Sequence, residues 1–333
     1  MKAGKFVLIL AAISITTVLA TNFMVGIIPI NIKYFPDKVF REYVLMFDTN
    51  GNGWLSPKER DAVTEINVDH MEIKSLKGIG YFKNLEELSC SDNDIKMLNV
   101  NKNRKLKTLI CHDNKLISLN VGKCGQLEYL SCYDNYLKNL SVKKNLKLES
   151  LYCGANRIKK LDLSKNTGLI TLYCDFNSIE NIDLIRNTRL RELDVSHNPL
   201  ASLDVSRNTE LVELSCGYAE LAELDLTNCT DLEWLYCYYN KLERLDLSQN
   251  RLLRAAMCQN NSLKSINVDG CANLAKFSCD ENALTSLDVS GTANLKYLYC
   301  KSNCLTEIDI SQNAWLNDLR CDDNVEIIPF GGR

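Results

Sequence analysis

The 333-residue chain is poor in histidine and proline and has no excess of positive charge. Its three histidines leave little material for acid–base catalysis or for imidazole metal sites. With 39 basic and 42 acidic side chains, the net charge of -3 argues against a dedicated nucleic-acid-binding protein. The motifs G-x-S-x-G and H-E-x-x-H and the phosphate loop are also missing. A hydrophobic content of 46% excludes wholesale disorder.

The N-terminus has the pattern of an export signal. Two lysines precede an uncharged apolar run, FVLILAAISITTVLA, that ends at Ala20. Val18 and Ala20 supply small residues at the -3 and -1 positions of a cleavage site. The pattern predicts a secretory signal peptide over residues 1–20 and a linker over residues 21–35.

The same segment is long enough to act as an uncleaved membrane anchor. No charged residue occurs between Lys5 and Lys33, and the apolar stretch continues to about residue 30. The Thr21-Asn22 pair and Pro29 interrupt it, which favours cleavage. Both alternatives predict that most of the chain is extracellular, either secreted or displayed on the cell surface.

Residues 48–59, DTNGNGWLSPKE, match the calcium loop of an EF-hand. Apolar residues at helical spacing precede the loop, and Ser56 to Glu59 form a capping box with Pro57 at the first position of the exit helix. An EF-hand-like helix–loop–helix is therefore predicted over residues 36–66. The predicted Ca²⁺ ligands are side-chain oxygens and, at the tryptophan, a backbone carbonyl: Asp48, Asn50, Asn52, Trp54, Ser56 and Glu59.

Only two of these ligands are carboxylates, so the predicted affinity is modest, about 0.1–1 mM, in the range of extracellular modules. The loop occurs once, which favours a structural ion over a calcium switch. The alternative is a polar turn that binds no ion.

A 21-residue period organises the chain after residue 84. Each period contains one cysteine, with Val195 filling the single gap, and an asparagine three residues later, with Ala219 as the only departure. The cysteine column is Cys90, Cys111, Cys132, Cys153, Cys174, Cys216, Cys237, Cys258, Cys279, Cys300 and Cys321. The first asparagine column is Asn93, Asn114, Asn135, Asn156, Asn177, Asn198, Asn240, Asn261, Asn282, Asn303 and Asn324.

The repeat consists of two related halves, LxxLxCxxN and LxxLDLSxN. Each half is typical of a short strand followed by a turn marked by asparagine. The predicted fold is mainly β: a solenoid of about 12 coils over residues 85–333, with two short parallel strands per coil. Residues 67–84 would form its N-terminal cap, after the small helical EF-hand-like segment.

These residues resemble the leucine-rich repeat superfamily, specifically its nested 21-residue bacterial class, sometimes called IRREKO. The resemblance covers about 250 of the 333 residues. An EF-hand-like loop placed before such repeats resembles secreted Gram-positive surface proteins. The resemblance implies recognition or adhesion at a cell surface, and it implies no shared reaction.

The periodic cysteines are predicted to be small buried apolar residues rather than disulfide partners. Side chains in register on parallel strands point the same way, which disfavours disulfide geometry. A metal-binding thiol column is the alternative, which the tetrahedral preference of zinc disfavours. Cys124, Cys229 and Cys271 fall in a second asparagine column, whereas Cys304 lies outside both columns and is predicted to be exposed and reactive. The second column also contains Asn103, Asn145, Asn166, Asn187, Asn208, Asn250 and Asn313.

Aromatic residues alternate with the inward leucine and cysteine and are predicted to project from one sheet. Tyrosine and tryptophan dominate interface hot spots, and their rings also stack on sugars, so a protein or a glycan ligand is expected. The alternative is that aromatics favour strand surfaces and cover one another. The predicted partner-binding residues are Tyr152, Tyr173, Tyr218, Trp234, Tyr236, Tyr238 and Tyr239.

Two charged columns have simpler interpretations. An aspartate column in the second half-repeat is too uniform for recognition and is predicted to be structural. A basic column could meet an anionic surface, although a solvated edge is the commoner explanation. The aspartates are Asp162, Asp183, Asp204, Asp225, Asp246, Asp288 and Asp309; the cations are Lys102, Lys123, Lys144, Lys165, Arg186 and Arg207.

The sequence thus predicts a secreted or surface-displayed, non-enzymatic binding or adhesion protein that recognises its ligand through the aromatic face. Nucleic acid is not an expected partner, and a membrane is expected only through the possible N-terminal anchor. One alternative is a glycan-acting hydrolase that uses Asp318, Asp322 and Asp323. The other is a passive cell-surface spacer.

Overall fold

The computed structural model describes residues 26–331, so the predicted signal peptide lies outside the described residues. A small N-terminal segment contains two short helices, two 3-10 turns and one antiparallel strand pair. The helices are Lys38–Val44 and Pro57–Asp61, the 3-10 turns are Leu45–Phe47 and Ile79–Tyr81, and the pair joins Ile28–Pro29 to Trp54–Leu55.

Both helices begin where the sequence supplies a cap. Asp37 accepts a hydrogen bond from the backbone N–H of Phe40, and Ser56 and Glu59 form the predicted reciprocal capping box. Phe40 is fully buried, and the ring of Phe47 packs against Phe82 with centroids 5.5 Å apart. The segment therefore covers the apolar end of the first coil, as the terminal unit of a solenoid must.

Thirteen parallel strands form one sheet, with sequential strands adjacent throughout. The strands are Glu65–Asn67, Glu87–Ser89, Thr108–Ile110, Tyr129–Ser131, Ser150–Tyr152, Thr171–Tyr173, Glu192–Asp194, Glu213–Ser215, Trp234–Tyr236, Ala255–Met257, Lys276–Ser278, Tyr297–Tyr299 and Asp318–Arg320. The register steps by 21 residues, as in Leu214 opposite Leu235. A mainly β parallel solenoid is confirmed, and it has about 13 turns because Glu65–Asn67, ahead of the repeats, joins the sheet.

The alternation of side chains places the core on one side of this sheet. The middle residue of each strand points inward, and so does the cysteine that follows the strand; Leu235 and Cys237, for example, are both fully buried. The first and third residues of each strand face outward and are called the sheet face here. Since one coil cannot bury its own apolar side, the stacking of coils creates the core.

The prediction of a second strand in every coil is wrong for most of the described coils. Second-half strands occur at Arg244–Asp246 with Ser265–Asn267 and at Glu307–Asp309 with Glu326–Ile328, and one isolated bridge joins Leu98 to Leu119. Elsewhere in this half, buried asparagine side chains connect neighbouring coils. Asn166, for example, donates to the carbonyls of Val142 and Asn145.

A left-handed backbone residue follows the main strand in successive coils. Here φ lies between 47° and 57° for non-glycine residues, a conformation that is strained outside turns. The residues from Asp92 onward are Asp92, Asp113, Asp134, Ala155, Phe176, His197, Tyr218, Tyr239, Asn260, Glu281 and Ser302. Each turn carries its side chain to the rim of the sheet rather than onto its face.

Candidate functional site

The predicted calcium loop adopts a compact turn in which acidic and amide oxygens bind loop N–H groups. Asp48 Oδ2 accepts from Gly53 N at 2.6 Å, and Asn52 Oδ1 accepts from Trp54 N at 2.9 Å. Gly53 has φ of 79°, which is why a glycine suits this position. The loop therefore places the predicted ligand side chains close together around one backbone turn.

Glu59 closes the loop from the start of the exit helix. Its carboxylate accepts from the backbone and hydroxyl of Ser56, from the backbone and hydroxyl of Thr49, and from the amide of Asn50. The bonds from Ser56, followed by those from Thr49, lower the pKa of Glu59 to about 2. Glu59 is only 7% exposed and has no lysine or arginine ion-pair partner among residues 26–331.

This donor set fits a hard cation that prefers oxygen ligands. A buried, ionised carboxylate without a basic partner faces a loop with another carboxylate at Asp48. No group of three or more His, Cys, Asp or Glu side chains in the described chain is arranged to hold a metal ion. Most of the donors would therefore come from amide, hydroxyl and carbonyl oxygens.

The cysteines lie where the period predicts, and they are free thiols. The column from Cys90 to Cys300 is buried, as are Cys124, Cys229 and Cys271, while Cys304 is exposed as predicted. Cys321, in the last coil, is half-buried. Burial raises the pKa of Cys132 to about 12, so this thiol is protonated and unreactive in the folded protein.

The sheet face contains four of the seven predicted partner-binding residues. Tyr152 and Tyr173 are paired across adjacent strands with ring centroids 5.2 Å apart, edge to face. Trp234 and Tyr236 occupy the first and third positions of one strand, and Trp234 is 37% exposed. Because Tyr152 and Tyr173 partly cover each other, Trp234 offers the more accessible ring.

Tyr218 and Tyr239 are not on the sheet face, and that part of the prediction is wrong. Each lies in the left-handed turn after its strand, so its ring stands at the rim. The rings of Phe176, His197, Tyr218 and Tyr239 stack in register, with centroid separations of 3.8, 4.3 and 4.3 Å. These four residues are called the turn stack here.

Tyr238 connects the turn stack to the sheet face. Its ring packs edge to face on Tyr218, at 5.9 Å, and on Tyr239, at 6.2 Å. It also lies over Gly217, where an added Cβ would approach the ring to 2.7 Å. The missing side chain at Gly217 is thus what lets Tyr238 lean across the neighbouring coil.

An acidic patch lies beside these rings and was not predicted from the sequence. Glu192, Asp194 and Glu213 sit on two adjacent strands, and Asp175 lies in the preceding coil. Burial, and then the neighbouring Asp194, raise the pKa of Asp175 to about 6; burial also raises the pKa values of Asp194 and Glu213. Within the described chain, none of these carboxylates has a lysine or arginine within 4.0 Å.

The two charged columns predicted from the sequence differ in their contacts. In the aspartate column, Asp162 and its counterparts accept from the N–H two residues on, as at Ser164, which confirms a structural role. The basic column from Lys102 to Arg207 is exposed to solvent.

Two of the three aspartates of the hydrolase alternative are engaged separately. Asp318 pairs with Arg320 at 3.1 Å, and Asp322 accepts from the backbone N–H groups of Ser302 and Asn303. Such fixed and separate roles give no support to a convergent pair of catalytic carboxylates.

Some site residues that the sequence reasoning passed over could have been found from the period alone. His197, Glu192 and Glu213 each occupy the same repeat position as an aromatic that was selected. They were not predicted because only aromatic residues were selected, whereas the position in the repeat determines which side chains face solvent.

Three solved structures share this architecture. The functional domain of InlJ from Listeria monocytogenes, which includes a cysteine ladder, is 27% identical over 90% of this chain and 76% of its own, with a TM-score of 0.61. A leucine-rich repeat protein of Leptospira interrogans is 24% identical over 75% of this chain and 69% of its own, with a TM-score of 0.68. An internalin (inlF) from Listeria monocytogenes is 22% identical over 89% of this chain and 97% of its own, with a TM-score of 0.70.

No protein-family model and no curated protein matches the chain. No helix among residues 26–331 is long and apolar enough to cross a membrane. The neighbours nevertheless agree in architecture with the parallel sheet described above. The predicted leucine-rich repeat solenoid is therefore confirmed as the fold.

Proposed function

We propose that this chain is a secreted or surface-displayed adhesion protein that binds a protein partner through its sheet face. The observation that carries the proposal is the exposed ring of Trp234, placed on a continuous sheet beside Tyr236 and the acidic patch. Aromatic anchors amid polar groups are the composition of interface hot spots. The fold supports the proposal, because solenoids offer extended binding surfaces.

A protein ligand fits the sheet face better than a neutral glycan does. Among residues 26–331 no lysine or arginine lies within 4.0 Å of the carboxylates of Glu192, Asp194 and Glu213, so this acidic surface favours a partner that supplies cationic side chains. A passive spacer would need neither exposed rings nor unpaired carboxylates. Export through the N-terminal segment remains part of the proposal and accounts for how the face meets an external partner.

The double variant Trp234→Ala/Tyr236→Ala tests the proposal in a pulldown from cell-surface extract. Trp315→Ala is the matched control, because Trp315 is 65% exposed but lies outside the sheet strands. We expect the double variant to capture at least tenfold less partner than the unmodified chain, and the control to capture the same amount. Protease treatment of the extract should abolish capture, whereas enzymatic deglycosylation should not; unchanged capture by the double variant refutes the proposal.

We further propose that the loop 48–59 binds one Ca²⁺ with a structural role. Asp48, Asn50, Asn52, Ser56, Glu59 and the carbonyl of Trp54 would hold the ion, which would neutralise the buried Glu59 carboxylate. Since the loop's strand pairs with Ile28–Pro29 and its helices cover the first coil, binding would fix the N-terminal end of the solenoid.

Thermal unfolding with 5 mM calcium or with chelator tests this site. For an affinity of about 0.1–1 mM, calcium should add roughly 1–2.5 kcal/mol to the stability of the cap. Glu59→Ala should remove the calcium response, while Glu42→Ala, an exposed residue on the preceding helix, should keep it. A calcium response that persists in Glu59→Ala would show that the ion binds elsewhere.

A further inference from the structure

A notch opens beside Trp234 at the edge of the sheet face, with a volume of about 580 Å³. Trp234 and Tyr297 form two of its walls, and Leu252 adds a third apolar side chain. Ala255, only 4% exposed, lies at the floor together with Ala275. A concave site of this size accommodates a large side chain and its neighbours.

The strand register explains why the notch exists. Trp234 is opposite Ala255, Ala255 is opposite Lys276, and Lys276 is opposite Tyr297, so these four residues form one outward column. The corresponding position carries Tyr129, Glu213 or another larger residue in most other coils. The methyl group of Ala255 in place of a larger side chain therefore leaves a gap between Trp234 and Lys276, and Tyr297 stands one coil beyond Lys276.

The walls of the notch present apolar surface that nothing in the described chain covers. Trp234, Leu252 and Tyr297 are 37%, 45% and 41% exposed. A pocket walled by aromatics and ringed by polar groups is the arrangement in which interface hot spots are found. The floor of two alanine methyl groups offers no side-chain hydrogen-bonding group, so it suits an apolar side chain rather than a sugar hydroxyl.

The rim of the notch is positively charged. The guanidinium of Arg254 is neutralised by Glu233 at 2.8 Å. Lys276 and Lys296 also line the notch, and among residues 26–331 neither has a carboxylate within 4.0 Å. On the other side of Trp234 the same column carries Glu213 and Glu192, so the charge of the face changes sign across the tryptophan.

We propose that the notch binds a protein segment that inserts one large apolar side chain between Trp234 and Tyr297 and places acidic side chains against Lys276 and Lys296. This inference rests on the proposed function and specifies the chemistry of the partner. The change of charge sign also sets the orientation: the acidic part of the segment lies toward Tyr297, because Glu213 and Glu192 repel it on the other side.

Fluorescence polarisation with three labelled peptides and the full chain tests the proposal. The peptides are Gly-Ser-Phe-Asp-Glu, which is acidic on one side of Phe only, its basic counterpart Gly-Ser-Phe-Lys-Lys, and the acidic sequence with Ser in place of Phe. We expect the first to bind at least tenfold more tightly than either of the others. Equal binding of the acidic and basic peptides, or no dependence on Phe, overturns the proposal.

Two independent variants locate the binding. Lys276→Glu/Lys296→Glu should abolish preference for the acidic peptide, while the control Lys138→Glu/Lys159→Glu, at exposed lysines in distant coils, should keep it. Ala255→Tyr should fill the notch and weaken binding at least tenfold; the sheet already accepts tyrosine in this column at Tyr129 and Tyr297, so folding should be retained. Unchanged binding by either variant refutes the assignment to the notch.

Two further measurements separate this inference from its alternatives. Binding of 3′-sialyllactose that is lost in Lys276→Glu/Lys296→Glu, without binding of the acidic peptide, would make the notch an acidic-glycan site and overturn the peptide proposal. If Trp234→Ala/Tyr236→Ala loses capture from cell-surface extract while the double lysine variant keeps it, the inference fails and the proposed function stands.

Discussion

The two asparagine columns look alike in the sequence but are bonded differently in the structure. In the first column, Asn135 donates to the carbonyls of Cys111, Cys132 and Tyr133, and its own Oδ1 accepts from Leu116 N at 2.8 Å. In the second column, Asn166 donates to two carbonyls, but its buried Oδ1 accepts no hydrogen bond from residues 26–331. The same orphaned oxygen recurs in Asn103, Asn145, Asn187, Asn208, Asn250 and Asn313.

This difference explains where the extra cysteines occur. The second column requires a donor and not an acceptor, so a thiol can replace the amide: Cys271 Sγ donates to the carbonyls of Leu247 and Asn250. Cys124 and Cys229 make similar bonds. In the first column the amide uses both ends, and no cysteine replaces asparagine there. Hydrogen-bonding function, rather than size alone, thus explains why cysteine replaces asparagine only in the second column.

The largest expected effect is that of Asn135→Ala in the first column. It removes four hydrogen bonds from a residue that is 3% exposed and leaves the N–H of Leu116 without a partner. We expect a loss of about 3–5 kcal/mol in the free energy of unfolding. Urea unfolding followed by circular dichroism measures this loss.

Asn166→Ala in the second column should lower the free energy of unfolding by less, about 2 kcal/mol. Only two donated hydrogen bonds are lost, and the side-chain oxygen of Asn166 accepts none from residues 26–331. The same urea experiment provides the comparison. Equal losses for Asn135→Ala and Asn166→Ala would break the distinction between the columns.

Asp175, which follows the strand Thr171–Tyr173, is a half-buried carboxyl whose neighbour Asp194 has like charge. Burial, followed by Asp194, raises its pKa to about 6, whereas an aspartate in the unfolded chain titrates near pH 4. Between about pH 4 and 6 the folded protein therefore binds a proton that the unfolded chain has already released, and the free energy of unfolding falls as the pH rises through this window. Asp175→Asn should therefore stabilise the protein by about 1 kcal/mol at pH 7.5, after allowance for solvent screening, and add little at pH 4. A gain that is independent of pH would contradict this origin.

The smallest expected effect is that of Asn166→Cys. It should lower the free energy of unfolding by less than about 1 kcal/mol, because cysteine already occupies the equivalent position in three coils. Asn135→Cys is the matched variant and should cost several times more, because a thiol cannot replace the acceptor that binds Leu116 N. Thermal unfolding of both variants under reducing conditions compares the two columns directly. A loss of stability in Asn166→Cys as large as that in Asn135→Cys would contradict the difference between the columns.

The period made the interior predictable. Residues in step with Leu235 or Cys237 were predicted to be buried, and they are in every described coil but the last, where Leu319 and Cys321 are half-buried. The second strand failed because half-repeats that share a sequence pattern need not share a bonding pattern: at Asn166 the inter-coil bonds come from the side chain instead of a backbone ladder.

The surface was less predictable, because it depends on where the strand ends. Counting alternate residues outward placed Tyr239 on the sheet face, but the left-handed turn carries it to the rim. The notch depends on an absence, the small side chain of Ala255, which draws no attention in a search for aromatics. The acidic patch needed the register of two strands, Glu192 beside Glu213, before it became a cluster.

The cysteine column gives the solenoid a built-in set of chemical probes. Burial raises the pKa values of Cys132 and Cys300 to about 12, and an opened coil would return such a thiol to about 8.5, which increases its thiolate fraction on the order of a thousandfold. Exposed Cys304 would react first and mark the closed state. Pulsed alkylation read by peptide mass spectrometry would then map the opening of individual coils along the natural chain, without any engineered cysteine.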